Sequence, residues 1–417
     1  MNRKEFQDIN NRLSSLTYFR GFHEVPIYED FSMLQIPLSE DDESSREEDG
    51  WEEGINRNIY GSLCRHIYEA GGNISHLVLN YLLSGDDFII HAPENKEIER
   101  ARDFDLATLQ MLADLTSAEV KSVLFSDSEM IEELPGWENS KINLKAEFDS
   151  LLSGLSTKGY GIFYNNKMFR IRDGMIIPVE NADYQSLDEL YEYERERNLV
   201  IKNTEAFVSG EMASNVLLYG DAGTGKSTTV KAVAASFDDR GLRLIEFDKN
   251  QVHEIPAIAE EVSKSPLKFI FFIDDLTFND NDDNFYALKG ILEGTARGKG
   301  RNTLIYATSN RRHLVKESMA DRVGDDLHLN DTLQETMSLS SRFGLTITFQ
   351  KPAKDIYLSI VESMAKEKGL LPSDKDPSYN DTLLDMFTKA EAFAIRMNGR
   401  SPRTAKQFIT QLAIGLC

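Results

Sequence analysis

The chain has 417 residues, of which 41% are hydrophobic, and it carries a net charge of −23. This length predicts about two to three domains, and this composition permits ordinary buried cores. The strongest apolar run, residues 269–273, is far shorter than the ~20 residues that a membrane helix needs. The first 20 residues lack the apolar stretch of a signal peptide, and two cysteines provide no disulfide framework. We therefore expect a cytoplasmic protein with no membrane segment.

The negative charge is concentrated in the first half of the chain. Residues 1–200 contain 19 Lys and Arg against 39 Asp and Glu, whereas residues 201–417 contain 27 against 30. A nucleic-acid surface needs clustered Lys and Arg, so the first half is a poor candidate for one. We interpret it as either a solvated acidic surface or a docking face for a basic partner.

The first part of the chain predicts helices. Apolar residues recur at three- and four-residue spacing over residues 98–112 and 142–155, as they do on one face of a helix. Residues 39–53 contain nine acidic residues and one arginine, which is typical of a disordered loop. We predict a mainly helical, acidic N-terminal domain over residues 1–155.

A short β region follows. Residues 161–164, 168–171 and 175–177 are apolar runs separated by Asn-Asn and Asp-Gly pairs, which tolerate the positive φ of tight turns. We predict a small antiparallel meander over residues 156–182, followed by a charged helical linker.

The second half of the chain alternates short apolar strands with helical stretches. The predicted strands are residues 216–219, 242–247, 269–273, 303–307 and 345–349. Such alternation predicts a parallel sheet with helices on both faces, here five-stranded and spanning residues 183–350. Beyond it, residues 351–417 show only helical patterns, at 355–368, 382–398 and 402–416.

A phosphate-binding pattern follows the strand at residues 216–219. The pattern G-x-x-x-x-G-K-[ST] is matched, and one further residue extends it; these residues are Gly220, Asp221, Ala222, Gly223, Thr224, Gly225, Lys226, Ser227 and Thr228. Glycines let the backbone turn its N–H groups toward one centre, and the following helix adds positive potential there. In this pattern Lys226 reaches the β- and γ-phosphates and Ser227 binds Mg²⁺. We therefore expect ATP and Mg²⁺ as ligands.

Two aspartates complete the predicted site. The apolar strand at residues 269–273 ends in Asp274 and Asp275, which is the Walker B pattern. In P-loop enzymes the first acid holds Mg²⁺, which assigns that role to Asp274. We expect Asp275 to orient and polarise the attacking water.

The order of these motifs resembles the AAA+ superfamily of P-loop ATPases. Ser309-Asn310 resembles sensor 1, so Asn310 would contact the γ-phosphate or the attacking water. Residues 340–344 resemble the arginine-finger box of the bacterial replication initiator, which implies that Arg342 enters the neighbouring subunit's site. Residues 399–405 resemble the sensor 2 segment of the Holliday-junction branch-migration motor, which implies that Arg403 contacts the nucleotide from a helical lid. A positioned arginine stabilises the charge that spreads over the phosphate oxygens.

A closer resemblance covers roughly residues 185–417. Residues 215–227, 243–246, 304–314 and 339–344 are similar to the uncharacterised bacterial AAA+ ATPase family catalogued as domain of unknown function 815. This resemblance implies the AAA+ fold and nucleotide binding, and it implies no known substrate. Two features depart from AAA+ motors: Asp275 replaces the usual glutamate, and residues 248–256 lack the aromatic pore loop of protein-threading members.

Three functions fit these features. The leading hypothesis is an ATPase, assembled as a ring or open ring, that remodels an unidentified protein partner through the acidic N-terminal half. The second is a low-turnover switch that binds ATP and uses occupancy to order an assembly. The third is a helicase-loader-like ATPase associated with nucleic acid. Only one basic cluster supports it, comprising Arg297, Lys299, Arg301, Arg311, Arg312 and Lys316.

Overall fold

The computed structural model describes residues 1–34, 46–84, 95–125, 128–164, 166–180, 182, 185–277, 283–295, 302–310, 341–373, 375–397 and 399–416. These residues belong to two compact units, Met1–Tyr164 and Asn165–Cys417. Across these ranges, no helix is long and apolar enough to cross a membrane.

The first unit is built from α-helices. They are Arg3–Ser14 (α1), Pro26–Met33 (α2), Arg46–Glu69 (α3), Ile74–Ser84 (α4), Lys96–Asp114 (α5), Ser117–Leu124 (α6), Ser128–Glu133 (α7), Leu144–Ser153 (α8) and Leu155–Lys158 (α9). The two predicted helices are confirmed as α5 and α8. The predicted acidic loop is wrong from Arg46 onward, because α3 begins there; residues 39–45 lie outside the described residues. Glutamate is a good helix former, and the buried side chains Tyr60, Leu63 and Ile67 anchor the same helix.

A buried carboxylate joins α5 to the chain that follows α1. Oδ2 of Asp105 accepts hydrogen bonds from three successive backbone N–H groups, those of residues 17–19, at 2.7–3.0 Å. The Asp105 side chain is fully buried. A buried carboxylate is tolerated only where hydrogen bonds replace its hydration, so this contact fixes the chain between α1 and α2.

The second unit contains a mostly parallel sheet. Its strands are Met168–Arg172 (β1), Met175–Pro178 (β2), Val216–Gly220 (β3), Leu242–Phe247 (β4), Lys268–Ile273 (β5), Thr303–Ser309 (β6) and Leu345–Phe349 (β7). Their order is β2-β1-β4-β5-β6-β3-β7, and only β1 and β2 pair antiparallel. The five predicted strands are confirmed as β3–β7. The sheet has seven strands rather than five, because the β1–β2 hairpin extends it.

The predicted meander is therefore corrected in two respects. Its first strand, residues 161–164, is absent from this described segment, and a 3-10 helix occupies Gly161–Phe163 instead. Gly159 and Gly161 have φ of 73° and 61°, which an extended strand does not allow. The remaining hairpin joins the main sheet because β1 pairs in parallel with β4, with Met168 opposite Leu244.

Helices cover the sheet and form a separate layer after it. They are Glu194–Val208 (α10), Lys226–Ser236 (α11), Ile255–Val262 (α12), Asp283–Thr295 (α13), Lys354–Glu367 (α14), Tyr379–Arg396 (α15) and Pro402–Ala413 (α16). Residues Phe269 to Ile273 of β5 are all buried, as expected for a sheet covered on both faces. The last three helices share their own core around Tyr357, Phe393 and Phe408, and we call them the lid. This architecture confirms the predicted α/β class, with a mostly parallel sheet followed by a helical segment.

Candidate functional site

The predicted phosphate cradle lies between β3 and α11. Gly220 and Gly225 have φ of 138° and 91°, which L-residues with side chains rarely adopt. A Cβ on Gly220 would lie 1.9 Å from the carbonyl oxygen of Phe349, so only glycine fits against β7 at this point. Gly225 directly precedes Lys226, the first residue of α11. The loop therefore leads the chain sharply from the strand end into a helix N-terminus.

Asp221 holds this loop against the end of β7. Its backbone N–H donates to the carbonyl oxygen of Phe349 at 3.0 Å, and its Oδ2 accepts from the backbone N–H of Lys351 at 3.0 Å. Its carbonyl oxygen accepts from Oγ1 of Thr224 at 2.8 Å. Asp221 thus shapes the cradle, and its contact with nucleotide stays a prediction.

Lys226 is buried at the floor of the cradle, with a relative exposure of 5%. Its Nζ donates to the carbonyl oxygens of Gly220 and Asp221 and to Oδ1 of Asn310, at 2.8–3.0 Å. Burial lowers the pKa of this ammonium, and the nearby carboxylates of Asp221, Asp274 and Asp275 oppose that shift. Lys226 forms no ion pair with any carboxylate in the described ranges. A buried cation with only neutral hydrogen-bond partners fits an anionic ligand.

Two hydroxyl groups converge on Asp274 at the end of β5. Ser227 Oγ and Thr308 Oγ1 each donate to Oδ1 of Asp274 at 2.5 Å. The Ser227 hydroxyl and the Asp274 carboxylate are hard oxygen ligands beside the cradle, which fits Mg²⁺. No described group of three or more His, Cys, Asp and Glu side chains could hold a metal. In proteins Mg²⁺ usually binds to one or two carboxylates together with substrate phosphates and water.

Asp275 and Asn310 are brought together from neighbouring strands. Nδ2 of Asn310 donates to Oδ1 of Asp275 at 2.7 Å, while the backbone N–H of Asp275 donates to Oγ1 of Thr308 at 2.9 Å. Asp275 has a φ of 50°, an uncommon conformation for a residue with a side chain. Strained backbone of this kind clusters at functional sites, because surrounding contacts must maintain it.

The lid contributes Arg403 to the same site. Ser401 caps α16 by accepting the backbone N–H of Thr404 at 3.1 Å, and the backbone N–H of Arg403 donates to the carbonyl oxygen of Gly223 at 3.3 Å. A Cβ on Gly223 would lie 2.9 Å from Ser401 Oγ and 3.2 Å from Arg403 Cβ. The N-terminus of α16 is therefore packed directly on the phosphate cradle.

These side chains surround one cavity of about 440 Å³. Of the predicted residues, its lining includes Ala222, Gly223, Thr224, Gly225, Lys226, Ser227, Thr228, Asp274, Asp275, Asn310 and Arg403. Gly220 and Asp221 are not among the described lining residues. Neither is Arg342, whose Nε donates to Oε1 of Glu293 at 2.9 Å and whose Nη2 forms an ion pair with the same oxygen at 2.7 Å. Arg342 thus contacts α13.

Sequence reasoning missed one wall of the cavity, the segment that precedes α10. Residues 189–193 line it, together with Gln185, Arg197, Phe349, Met364 and Lys406. The Tyr193 ring stacks on Phe349 at 5.3 Å, and its hydroxyl donates to the carbonyl oxygen of Gln350 at 2.6 Å. Burial, followed by the charge of Glu196, raises the pKa of Tyr193 to about 12. The sequence signal for this wall consists of three large apolar or aromatic residues, Leu190, Tyr191 and Tyr193.

This segment also contacts the lid. Oε1 of Glu192 accepts from Ser359 Oγ on α14 at 3.1 Å, and the Tyr191 hydroxyl donates to Glu367 on the same helix. Glu192 and Tyr193 have φ of 57° and 59°, which is uncommon for two successive residues with side chains. The basic cluster of Arg297, Lys299, Arg301, Arg311, Arg312 and Lys316 lies outside the described residues.

Comparisons with known proteins match the second part of the chain to one family and to several solved structures. The model of the family described as "Protein of unknown function (DUF815)" matches residues 164–415, more than half of the chain. No curated protein matches the sequence. The Thermotoga maritima RuvB Holliday junction branch migration motor is 17% identical with a TM-score of 0.32, over 54% of this chain and 72% of that one. The Aeropyrum pernix Orc1 protein in complex with DNA is 16% identical with a TM-score of 0.37, over 54% and 60%. Likenesses this weak carry no argument about activity or partners.

Proposed function

This chain belongs to the DUF815 family, and we propose that its second unit binds ATP with Mg²⁺ and hydrolyses it. One observation carries the proposal: Lys226, Ser227, Asp274, Asp275, Asn310 and Arg403 line a single cavity around the phosphate cradle. Four secondary-structure junctions, which are far apart in sequence, supply these residues. Such convergence of a buried cation, hard oxygen ligands and a carboxylate suits phosphoryl transfer.

Binding depends on the cradle and its two cations. The backbone N–H groups at the start of α11 and the Lys226 ammonium neutralise the β- and γ-phosphates. Arg403 adds positive charge from the lid, so nucleotide binding links the lid to the sheet. Mg²⁺ held at Ser227 and Asp274 supplies further charge neutralisation to the phosphate oxygens when bound.

Hydrolysis depends on Asp275 and Asn310. The Asp275 carboxylate accepts a proton from the attacking water, and Asn310 holds this carboxylate in place through its 2.7 Å hydrogen bond. The Lys226–Asn310 contact of 3.0 Å connects the same amide to the phosphate cradle. Asn310 is thereby able to connect the phosphates with the group that orients the water.

Arg342 acts on a neighbouring subunit in this proposal. Its guanidinium is bound to Glu293 on α13 and is not among the described lining residues of its own cavity. A head-to-tail contact that repeats with rotation closes into a ring or continues as an open ring. We propose such a homo-oligomer, with ATP turnover that depends on assembly.

The biological output is proposed to be remodelling of a protein partner through the acidic N-terminal half. The switch alternative draws support from the Asp275 side chain, which is one methylene shorter than that of the glutamate usual in AAA+ motors. A shorter carboxylate at this position suits slow turnover. The nucleic-acid alternative still rests on the basic cluster alone.

Calorimetric titration with ATP tests the binding step. With Mg²⁺ present, we expect saturable binding that Lys226→Ala weakens by at least ~30-fold, the scale of losing one partner of a buried charged contact. Lys231→Ala is the matched control, since Lys231 is on the same helix and pairs with Glu246 at 3.0 Å. Equal ATP affinity in the wild type and Lys226→Ala would refute the assignment of the cradle.

A further inference from the structure

The Arg342 side chain contacts an acidic residue of its own chain, Glu293. Nε donates a hydrogen bond to Oε1 of Glu293 at 2.9 Å, and Nη2 forms an ion pair with the same oxygen at 2.7 Å. The side chains of Arg342 and Glu293 are 25% and 50% exposed. A charge-assisted hydrogen bond and an ion pair on one edge orient the guanidinium.

The backbone on both sides of this contact is fixed. Phe343 is buried, with 3% of its surface exposed, so it anchors the chain next to Arg342. A Cβ on Gly344 would lie 2.6 Å from Oγ of Ser214, which shows a close approach to the loop before β3. On α13, Phe285, Leu288 and Leu292 are buried and hold the helix that carries Glu293. Both ends of the Arg342–Glu293 contact therefore have buried neighbours in the chain.

We infer that Glu293 is a positioning residue for Arg342, which it orders for use in the neighbouring subunit's site; this inference rests on the proposed function. Ordering a flexible arginine side chain lowers its conformational entropy. When Glu293 orders Arg342 before assembly, this entropy loss no longer opposes the contact between subunits. Glu293 touches no nucleotide in this arrangement. It acts through the orientation of the guanidinium, and therefore on turnover in the assembly rather than on ATP affinity.

Glu293→Gln in the full-length chain tests this inference. The amide keeps the shape of the side chain but removes its charge and offers the arginine a weaker acceptor. We expect turnover per subunit at high protein concentration to fall about 10-fold, on the scale of losing a positioning contact. ATP affinity and melting temperature should stay near those of the wild type. Glu293→Asp keeps the charge and should recover part of the turnover.

Two further variants separate positioning from a general effect. Arg342→Ala combined with Glu293→Gln should be no slower than Arg342→Ala alone, because Glu293 acts only through that arginine. Glu69→Gln is the matched control, since Glu69 accepts from Arg65 at a similar 2.9 Å in the first unit. It should leave turnover unchanged.

Wild-type turnover in Glu293→Gln, with turnover lost in Arg342→Ala, would overturn the positioning role and leave the proposed function intact. Faster turnover in Glu293→Gln would also overturn it, because the carboxylate would then restrain the arginine. Wild-type turnover in Arg342→Ala itself would remove the trans arginine from the proposed function, and this inference with it.

Discussion

Asn310, at the end of β6, donates a 2.7 Å hydrogen bond from Nδ2 to Oδ1 of Asp275, at the end of β5. The same amide accepts from Nζ of Lys226 through its oxygen, at 3.0 Å. One side chain therefore joins the buried cation of the phosphate cradle to the carboxylate that we assign to the attacking water.

The first prediction separates binding from chemistry at Asp275. Asp275→Asn preserves size and hydrogen bonding but removes the proton acceptor, so we expect ATP affinity to persist and hydrolysis to slow by ~10² or more. Steady-state turnover and calorimetry on the same preparation measure the two quantities. Unchanged turnover would assign the water-orienting role to another residue.

The second prediction concerns the pH dependence of stability at Lys226. Burial lowers its pKa below the ordinary value of 10.5, so the unfolded chain binds this proton more tightly than the folded chain does. The contribution of Lys226 to the free energy of unfolding is then greatest above pH 10.5, and it is lost as the pH falls through the lowered folded-state pKa.

The nucleotide-free wild type should therefore gain stability relative to Lys226→Met as the pH rises from the folded-state pKa toward 10.5. Chemical denaturation at several pH values between about 7 and 10 measures this difference. A constant difference would contradict the burial of a charged ammonium.

The third prediction concerns the contact between the cradle and the lid. Gly223 has a φ of 79°, and a Cβ there would lie 2.9 Å from Ser401 Oγ. Gly223→Ala should destabilise the second unit by about 1–3 kcal/mol, the cost of a residue in a sparsely populated backbone region, and should displace the N-terminus of α16. Thermal unfolding measures the loss of stability, and protease sensitivity near residue 401 measures the displacement of α16.

Gly210→Ala is the control, because Gly210 has the same φ of 79° with nothing within 4 Å of the added Cβ. Equal protection of the 401 region in both variants would argue against the close contact.

The fourth prediction concerns the wall that precedes α10. Tyr193→Ala removes the ring that stacks on Phe349 beside the cavity, so nucleotide affinity should fall about 10-fold, a typical loss for a large aromatic contact. Tyr193→Phe keeps the ring and loses only the hydrogen bond to Gln350, so its affinity should stay within a few fold of wild type. If both variants bind ATP as the wild type does, the nucleotide does not use this wall.

The sequence predicted the parts of the molecule that depend on local pattern. Residues 242–247 and 345–349 are strands with the predicted bounds, because apolar runs of this length between turns favour buried parallel strands. The cradle was recognisable because its glycines and Lys226 occur at fixed spacing. The same holds for Asp274 and Asp275, which directly follow a buried strand.

The sequence did not predict features that depend on tertiary contact. The pairing of Met168 with Leu244 joins residues from distant strands, and neither strand carries a signal for its partner. The positive φ of Glu192 and Tyr193 arises at residues that have side chains, so no glycine marked that turn. The Arg342–Glu293 contact joins residues 49 positions apart. Sequence reasoning placed Arg342 at a subunit boundary but identified no residue that holds it.

Steady-state ATP hydrolysis by the purified 417-residue chain, measured with Mg²⁺ over a range of protein concentrations, tests the proposed ATPase activity most directly. We predict turnover that requires Mg²⁺, rises per subunit with protein concentration, and is abolished by Lys226→Ala but retained in Lys231→Ala. The concentration dependence follows because an arginine supplied by a neighbour accelerates phosphoryl transfer by ~10³–10⁵ in systems of this kind. Hydrolysis that survives Lys226→Ala, or that is absent from the wild type at every concentration, would contradict the assignment of this site as an ATPase.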